Sequence, residues 1–191
     1  MSQQGRARQA TFRVMTVCTG NICRSPMAEV VLRDRFEAAG LGGRVAVDST
    51  GISSEERGNP IDQRARAVLA EHGYAVPVRA ARTVRATDLL AADLALPMTA
   101  VHARVLRRLA GSDADRVAMF RSFDPAAPRV APGTGEHVLD LDDPWYGGRE
   151  DFDDCLAQIE AAADGIVAYV RGALAQRDAA CAAPASGRGA R

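Results

Sequence analysis

No stretch of this 191-residue chain reaches the roughly 18 consecutive apolar residues of a membrane-spanning helix. Its opening, MSQQGRARQA, lacks the apolar centre of a secretory signal. Neither sign of charge is in excess: 24 basic and 24 acidic residues give a formal net charge of +0, which argues against a protein built to bind nucleic-acid backbones. Lysine is missing altogether; beside the abundant alanine this is compositional bias rather than mechanism. Cysteine is scarce. The four residues, at 18, 23, 155 and 181, are too few and too irregularly spaced for a disulfide framework or a zinc site. Reduced thiols and a cytoplasmic location are therefore expected, with export by a route that needs no signal peptide left open. No internal repeat is present, and nothing in the sequence sets an oligomeric state.

What remains is ordinary globular material, 47% hydrophobic and 25% charged, of a length that suits one core. Residues 1–10, and the small-residue tail 178–191 (DAACAAPASGRGAR), are expected to be disordered, leaving one domain over 11–177. Inside it strand and helix patterns alternate. Strands are predicted at 12–17 (FRVMTV), 44–50 (RVAVDST), 93–98 (DLALPM) and 116–123 (RVAMFRSF). Helices are predicted after Ser25-Pro26, ending at Gly40, and from Asn59-Pro60 to about Gly73. Others follow at ATDLLAA, at AVHARVLRRLA, and from about Asp151 to Gln176. In that last helix Phe152, Cys155, Leu156, Ile159, Ile166, Val167, Val170 and Leu174 make one apolar stripe. The alternation implies an α/β three-layer sandwich, a four-stranded parallel sheet covered by helices on both faces. In such folds ligands bind beyond the carboxyl ends of the strands.

The first strand ends in VCTGNICRSP, residues 17–26. Cys18 and Arg24 stand in a C-x5-R spacing, which is weak by itself. The context strengthens it: Thr19 and Gly20 permit a tight turn, and Asn21 tolerates a left-handed backbone. Successive inward N–H groups form an anion nest. The following helix adds its positive end, and Arg24 adds a planar fork for two oxygens. Such a loop holds a tetrahedral dianion with Cys18 beneath it. A thiol placed this way ionises readily, and Ser25 can donate to the resulting anion. A thiolate in line with a phosphorus atom is a nucleophile for phosphoryl transfer. The leaving group, such as a phenol of pKa about 10, then needs a proton donor. LDLDDPWYGG, residues 139–148, offers Asp142 or Asp143, with Pro144 fixing Asp143 more rigidly and with Trp145 and Tyr146 as flat apolar walls.

VCTGNICRSP together with DDPWYGG resembles the low-molecular-weight protein tyrosine phosphatases, over about residues 12–176. VDSTG, GNP, EHGY and RSFDP are similar to further segments of that family. The resemblance implies hydrolysis of phosphotyrosine in two steps through a cysteinyl-phosphate, without metal or other cofactor. Its partner would be a phosphotyrosine-containing protein or peptide. By position, Cys18 would be the nucleophile, Arg24 the phosphate clamp and Asp143 the general acid. Thr19, Gly20, Asn21, Ile22, Cys23 and Ser25 would shape the binding loop, with Trp145 and Tyr146 beside them. Cys23 is also a candidate for a reversible, protective disulfide with Cys18, with a plain buried side chain as the alternative.

Three departures stand out. Thr99 occupies a place after the third strand where relatives carry a loop-supporting acid. Glu55 and Glu56 fall at the expected pocket rim, and Trp145 replaces the usual first tyrosine of the acid turn. The rim carboxylates predict weaker binding of acidic phosphopeptides than in a typical relative. Arg79, Arg82 and Arg85 read as a solvated basic face, and His102 and His137 show no partner in the sequence. Three rivals remain. A protein-arginine phosphatase of this scaffold would carry threonine where Ile22 stands. An arsenate reductase would need relay cysteines, which residues 80–110 lack. A non-catalytic phosphopeptide-binding module would have no use for Cys18, Arg24 and Asp143 together.

Overall fold

β1 (Phe12–Cys18) alternates its side chains between two apolar layers, and that alternation organises the molecule. In the computed structural model, which describes residues 11–182, Phe12, Val14 and Cys18 face one core and Met15 and Val17 the other. β2 (Val45–Gly51) and β3 (Leu94–Pro97) pair with β1 in parallel, in the order β2-β1-β3. The first face is covered by α1 (Arg24–Ala38), α2 (Gln63–Glu71) and α5 (Arg149–Ala182). The second is covered by α3 (Ala86–Ala91) and α4 (Ala100–Ala110). Both faces of the central strand are therefore buried, as a parallel sheet requires.

The expected fourth strand is not one. Residue Val117 makes a single parallel bridge to Ala95, and Phe120–Phe123 then forms a 3₁₀ turn. Met119, Phe120 and Phe123 recur at a spacing closer to helical than to alternating, and Ser122 closes the turn by donating both its N–H and its hydroxyl to the Met119 carbonyl, at 3.0 and 2.6 Å. Among the described residues the sheet thus has three strands and two isolated parallel bridges, Ala95 to Val117 and Gly51 to Thr83.

Helix starts also move. α1 begins at Arg24 with Cys23 in the capping position, so Ser25 lies inside the first turn and its hydroxyl is free for other work. α2 begins at Gln63, not at Asn59-Pro60, because Asp62 Oδ1 accepts the Arg64 N–H at 2.8 Å. α5 runs to Ala182, past the predicted end near Gln176. Its last turns are tied down by Arg177 donating to Asp93 at 2.7 Å and by a bidentate Arg44–Asp178 pair at 2.8 and 2.9 Å. Residues 178–182, assigned from sequence to a disordered tail, are helical. The disorder expected at 1–10 and 183–191 lies outside the described residues. All eight residues of the predicted α5 stripe are buried, Cys155 among them; burial pushes its thiol up to about 12. Among the described residues no helix is long and apolar enough to cross a membrane.

Candidate active site

β1 ends in Cys18 and α1 starts at Arg24, so five residues must reverse the chain at the carboxyl edge of the sheet. Their backbone is clamped to the strand beside them: the Ile52 and Ser53 N–H groups donate to the Cys18 and Thr19 carbonyls at 3.0 and 2.9 Å. Gly51 is the partner of Cys18 in the ladder. A Cβ there would stand 2.5 Å from the Thr19 carbonyl oxygen, so only glycine allows this approach.

The turn itself is made by Asn21, the one non-glycine residue with positive φ among those described (φ 63°). Its fully buried side chain uses every polar position it has. The amide donates to Ser25 Oγ at 3.0 Å and Ser49 Oγ at 2.9 Å. Its carbonyl accepts from Arg79 Nη2 at 2.7 Å and the Arg82 N–H at 3.0 Å. Ser49 in turn donates to Glu29 at 2.6 Å. Arg79, read from sequence as part of a solvated face, is thus turned inward; burial, partly offset by Glu29, lowers its pKa from the usual guanidinium range. Nothing in its sequence neighbourhood signals this, since its partners lie 50 and 58 positions away in the chain.

Cys18 is 3% exposed. Its Sγ accepts the Asn21 N–H at 3.3 Å and lies 3.0 Å from Ser25 Oγ. Ser25 has one proton to give, shared between this sulfur and the Thr50 carbonyl at 3.2 Å; an ionised sulfur takes it. Around the sulfur the N–H groups of Gly20, Ile22 and Cys23 meet no acceptor among the described residues. Arg24 Nη1 donates to the Leu141 carbonyl at 3.0 Å. Its Nη2 reaches Asp143 and, at 3.5 Å, Thr19 Oγ1. Its Nε is buried with no partner. Of the Arg24 guanidinium nitrogens, Nε alone is left without a partner among the described residues.

A cleft of about 120 Å³ gathers nearly all the residues singled out from sequence. Cys18, Thr19, Gly20, Ile22, Cys23 and Arg24 of the loop line it together with Asp143, Trp145 and Tyr146 of the later turn and with Glu55 and Glu56. Asn21 and Ser25 lie buried in the network behind the loop, outside the lining. Of the two candidate acids, both exposed, Asp143 lines the cleft and touches Arg24, whereas Asp142 does neither. Asp143 also accepts the Trp145 N–H at 3.2 Å over the buried Pro144. Cys23 is a free thiol whose pKa is pushed up by burial and by the charges of Asp62, Cys18 and Asp143.

Two further features escaped the sequence. Arg64 stacks over Trp145 and Phe152, with 5.5 and 4.7 Å to the ring centroids, and donates to the Gly147 carbonyl at 3.0 Å, pinning the acid turn to α2. Thr99 caps α4 and does not contact the loop directly. His102 stands between them: its ring nitrogens lie 2.9 Å from Thr99 Oγ1 and 3.0 Å from Thr19 Oγ1. A threonine followed three residues later by histidine at a helix start was the available signal.

Comparison with known proteins covers most of the chain. The family model described as low molecular weight phosphotyrosine protein phosphatase matches residues 13–176. The low molecular weight protein-tyrosine-phosphatase of Streptomyces coelicolor is 49% identical over 84% of this chain and 94% of its own length. Low molecular weight protein-tyrosine phosphatase A of Mycobacterium tuberculosis is 45% identical over 86% of this chain and 95% of its own. The crystal structure of YfkJ from Bacillus subtilis superimposes with a TM-score of 0.76 at 28% identity, covering 88% of this chain and 99% of that one.

Proposed function

This chain belongs to the low molecular weight protein tyrosine phosphatase family, and we propose that it hydrolyses phosphotyrosine esters with Cys18 as nucleophile, Arg24 as phosphate clamp and Asp143 as general acid. The observation that carries these roles is the set of donors without acceptors around one sulfur: buried Arg24 Nε and the N–H groups of Gly20, Ile22 and Cys23. A phosphoryl group has three oxygens for such donors, and donors fixed before the reaction cost no reorganisation during it.

The incoming phosphate takes two oxygens to the Nε–Nη2 edge of Arg24 and displaces the Asp143 carboxyl from Nη2. Asp143, still held at the cleft wall, is then free to meet the leaving oxygen. Cys18 Sγ attacks phosphorus as the bond to the aryl oxygen breaks, and protonated Asp143 gives its proton to that oxygen. In the second step water attacks the cysteinyl-phosphate. Its proton passes to the Asp143 carboxylate, the P–S bond breaks, and the thiolate returns to the Ser25 hydroxyl and the Asn21 N–H. Asn21 and Ser25 act by holding the loop and the sulfur. Ile22, Trp145 and Tyr146 offer apolar surface to an aromatic ring, which favours an aryl ester over phosphoarginine. Cys23 beside the nucleophile supports a protective disulfide with Cys18 under oxidation. A reducing cytoplasm would keep both thiols free.

Hydrolysis of p-nitrophenyl phosphate and of phosphotyrosine by the wild type, Cys18→Ser and Asp143→Asn, across pH, tests the assignments. Cys18→Ser should lose turnover altogether. Asp143→Asn should lose roughly 10²–10⁴-fold on phosphotyrosine, lose its alkaline limb, and suffer less on the better nitrophenolate leaving group. Turnover by Cys18→Ser, or an Asp143→Asn enzyme as fast as wild type on phosphotyrosine, would refute them. Phosphoarginine peptides run alongside, with Ile22→Thr as control, separate the two phosphatase chemistries.

A further inference from the structure

His102 takes no part in the reaction above, yet it is 3% exposed and both its ring nitrogens are engaged. Burial, and then the Arg24 cation, bring its pKa down to about 3, so the ring is neutral near pH 7. A neutral imidazole has one N–H and one lone pair. Thr99 and Thr19 must therefore meet it in opposite senses, and only two arrangements exist.

In the first, Nδ1–H donates to Thr99 Oγ1 and Nε2 accepts the Thr19 proton. Thr99 Oγ1 then receives two donors, because the His102 backbone N–H also reaches it at 3.3 Å. Its own proton meets no acceptor among the described residues, in a partly buried site. Thr19 would turn only oxygen lone pairs toward a cleft meant for a dianion.

In the second, Thr99 gives its proton to Nδ1 and accepts the backbone N–H. Nε2–H donates to Thr19 Oγ1, which also accepts from Arg24 Nη2 at 3.5 Å. Every donor then has an acceptor except one, the Thr19 hydroxyl proton. With both lone pairs of that oxygen engaged, the proton points away from His102 and Arg24. Thr19 lines the catalytic cleft. Each arrangement leaves one hydroxyl proton without an acceptor, but the second leaves it on exposed Thr19 in the cleft, where water or an oxyanion can take it, and not on partly buried Thr99, so the second is favoured.

We infer that Thr99 holds His102 as its Nε2–H tautomer, and that His102 thereby fixes the Thr19 hydroxyl as a donor to the substrate phosphoryl oxygen beside Arg24 Nη2. Thr19 is then a substrate-binding donor, and His102 and Thr99 are positioning residues. The inference rests on the phosphatase reading only for the identity of the oxyanion; the tautomer stands or falls on the protein alone.

Two measurements test it together. Long-range ¹⁵N–¹H correlation spectra of the substrate-free enzyme report which ring nitrogen of His102 carries the proton, and Nε2 is expected. Inorganic phosphate is then titrated as a competitive inhibitor of p-nitrophenyl phosphate hydrolysis. Thr19→Val should weaken phosphate by roughly tenfold to a hundredfold, the ordinary worth of one hydrogen bond to a charged group, and Thr19→Ser should restore it. Thr99→Val should weaken it severalfold in the wild-type background and not at all in Thr19→Val, because its effect passes through that hydroxyl. A proton on Nδ1, a Thr19→Val enzyme that binds phosphate like wild type, or equal losses from Thr99→Val in both backgrounds would overturn the proposal. Failure of the phosphatase reading would show instead as turnover that survives Cys18→Ser.

Discussion

Replacing Asn21 separates the two things this residue does, hold a left-handed backbone and saturate four hydrogen bonds. Asn21→Gly keeps the φ of 63° at no steric cost and deletes the bonds to Ser25, Ser49, Arg79 and the Arg82 N–H. Ser25 and Ser49 retain other partners, the Thr50 carbonyl and Glu29, and Arg79 retains Glu29 and the Ser49 carbonyl. The Arg82 N–H loses its side-chain acceptor. At about 1 kcal/mol net for each of three bonds and about 1–3 kcal/mol for the orphaned donor, Asn21→Gly should cost about 4–6 kcal/mol. Asn21→Ala should cost about 1 kcal/mol more, because Cβ is strained at that φ. Both losses are large against a domain stability of about 5–15 kcal/mol. Urea unfolding gives the stabilities, and p-nitrophenyl phosphate hydrolysis of the folded fraction should fall roughly a hundredfold as the loop loses its fixed geometry. A Gly variant within about 1 kcal/mol of wild type would show that the network does not hold the loop. Equal stabilities for Gly and Ala would show that the φ is not imposed.

Gly51→Ala drives a methyl to 2.5 Å from the Thr19 carbonyl oxygen; it should cost about 1–3 kcal/mol by overpacking and lower kcat/KM more than it lowers Tm would suggest, which paired thermal melts and kinetics will show. Burial, then Arg24, lowers the His102 pKa from 6.5 to about 3. Between those values the unfolded chain binds a proton that the native one does not, so stability rises with pH across that window and is lost as pH falls through it, by up to about 1.4 kcal/mol per pH unit. Urea midpoints at pH 4, 5, 6 and 7 should show a flatter slope in His102→Gln; an unchanged slope contradicts the burial argument. At the rim neither Glu55 nor Glu56 has a cationic partner among the described residues, and both line the cleft. Glu55→Trp and a Glu55→Gln/Glu56→Gln double variant should tighten KM for acidic-flanked phosphopeptides, the double by roughly two- to fivefold at low salt, and no gain over wild type would reject the rim's role.

The candidate phosphate-binding loop was legible because its residues are contiguous. Cys18, Asn21, Arg24 and Ser25 lie within eight positions, and a strand-to-helix turn leaves them little choice of place. The α5 stripe was legible because burial on one helix face repeats at a fixed period. The candidate acid turn was legible by composition, and Pro144 together with the family resemblance already favoured Asp143 over Asp142; the contact with Arg24 agrees with that choice. What escaped depends on distant partners. Thr19 and His102 are 83 residues apart, as are Arg64 and Gly147. Arg79 looked solvated because its partners Asn21 and Glu29 lie far back in the chain. The fourth strand failed for a local reason: MFRSF carries β-compatible residues with the apolar ones at helical spacing, and a serine that closes a turn on Met119.

The central claim is that the sulfur of Cys18 receives the phosphoryl group. It is tested most directly by acid-quenching the enzyme during turnover of p-nitrophenyl phosphate and mapping the phosphate by mass spectrometry under conditions that preserve the P–S bond. The account predicts phosphate on Cys18, more of it in Asp143→Ala, where hydrolysis of the intermediate is slowed, and none in Cys18→Ser. Steady turnover with no phosphate on Cys18 in either the wild type or Asp143→Ala, or phosphate found on another residue instead, would contradict it.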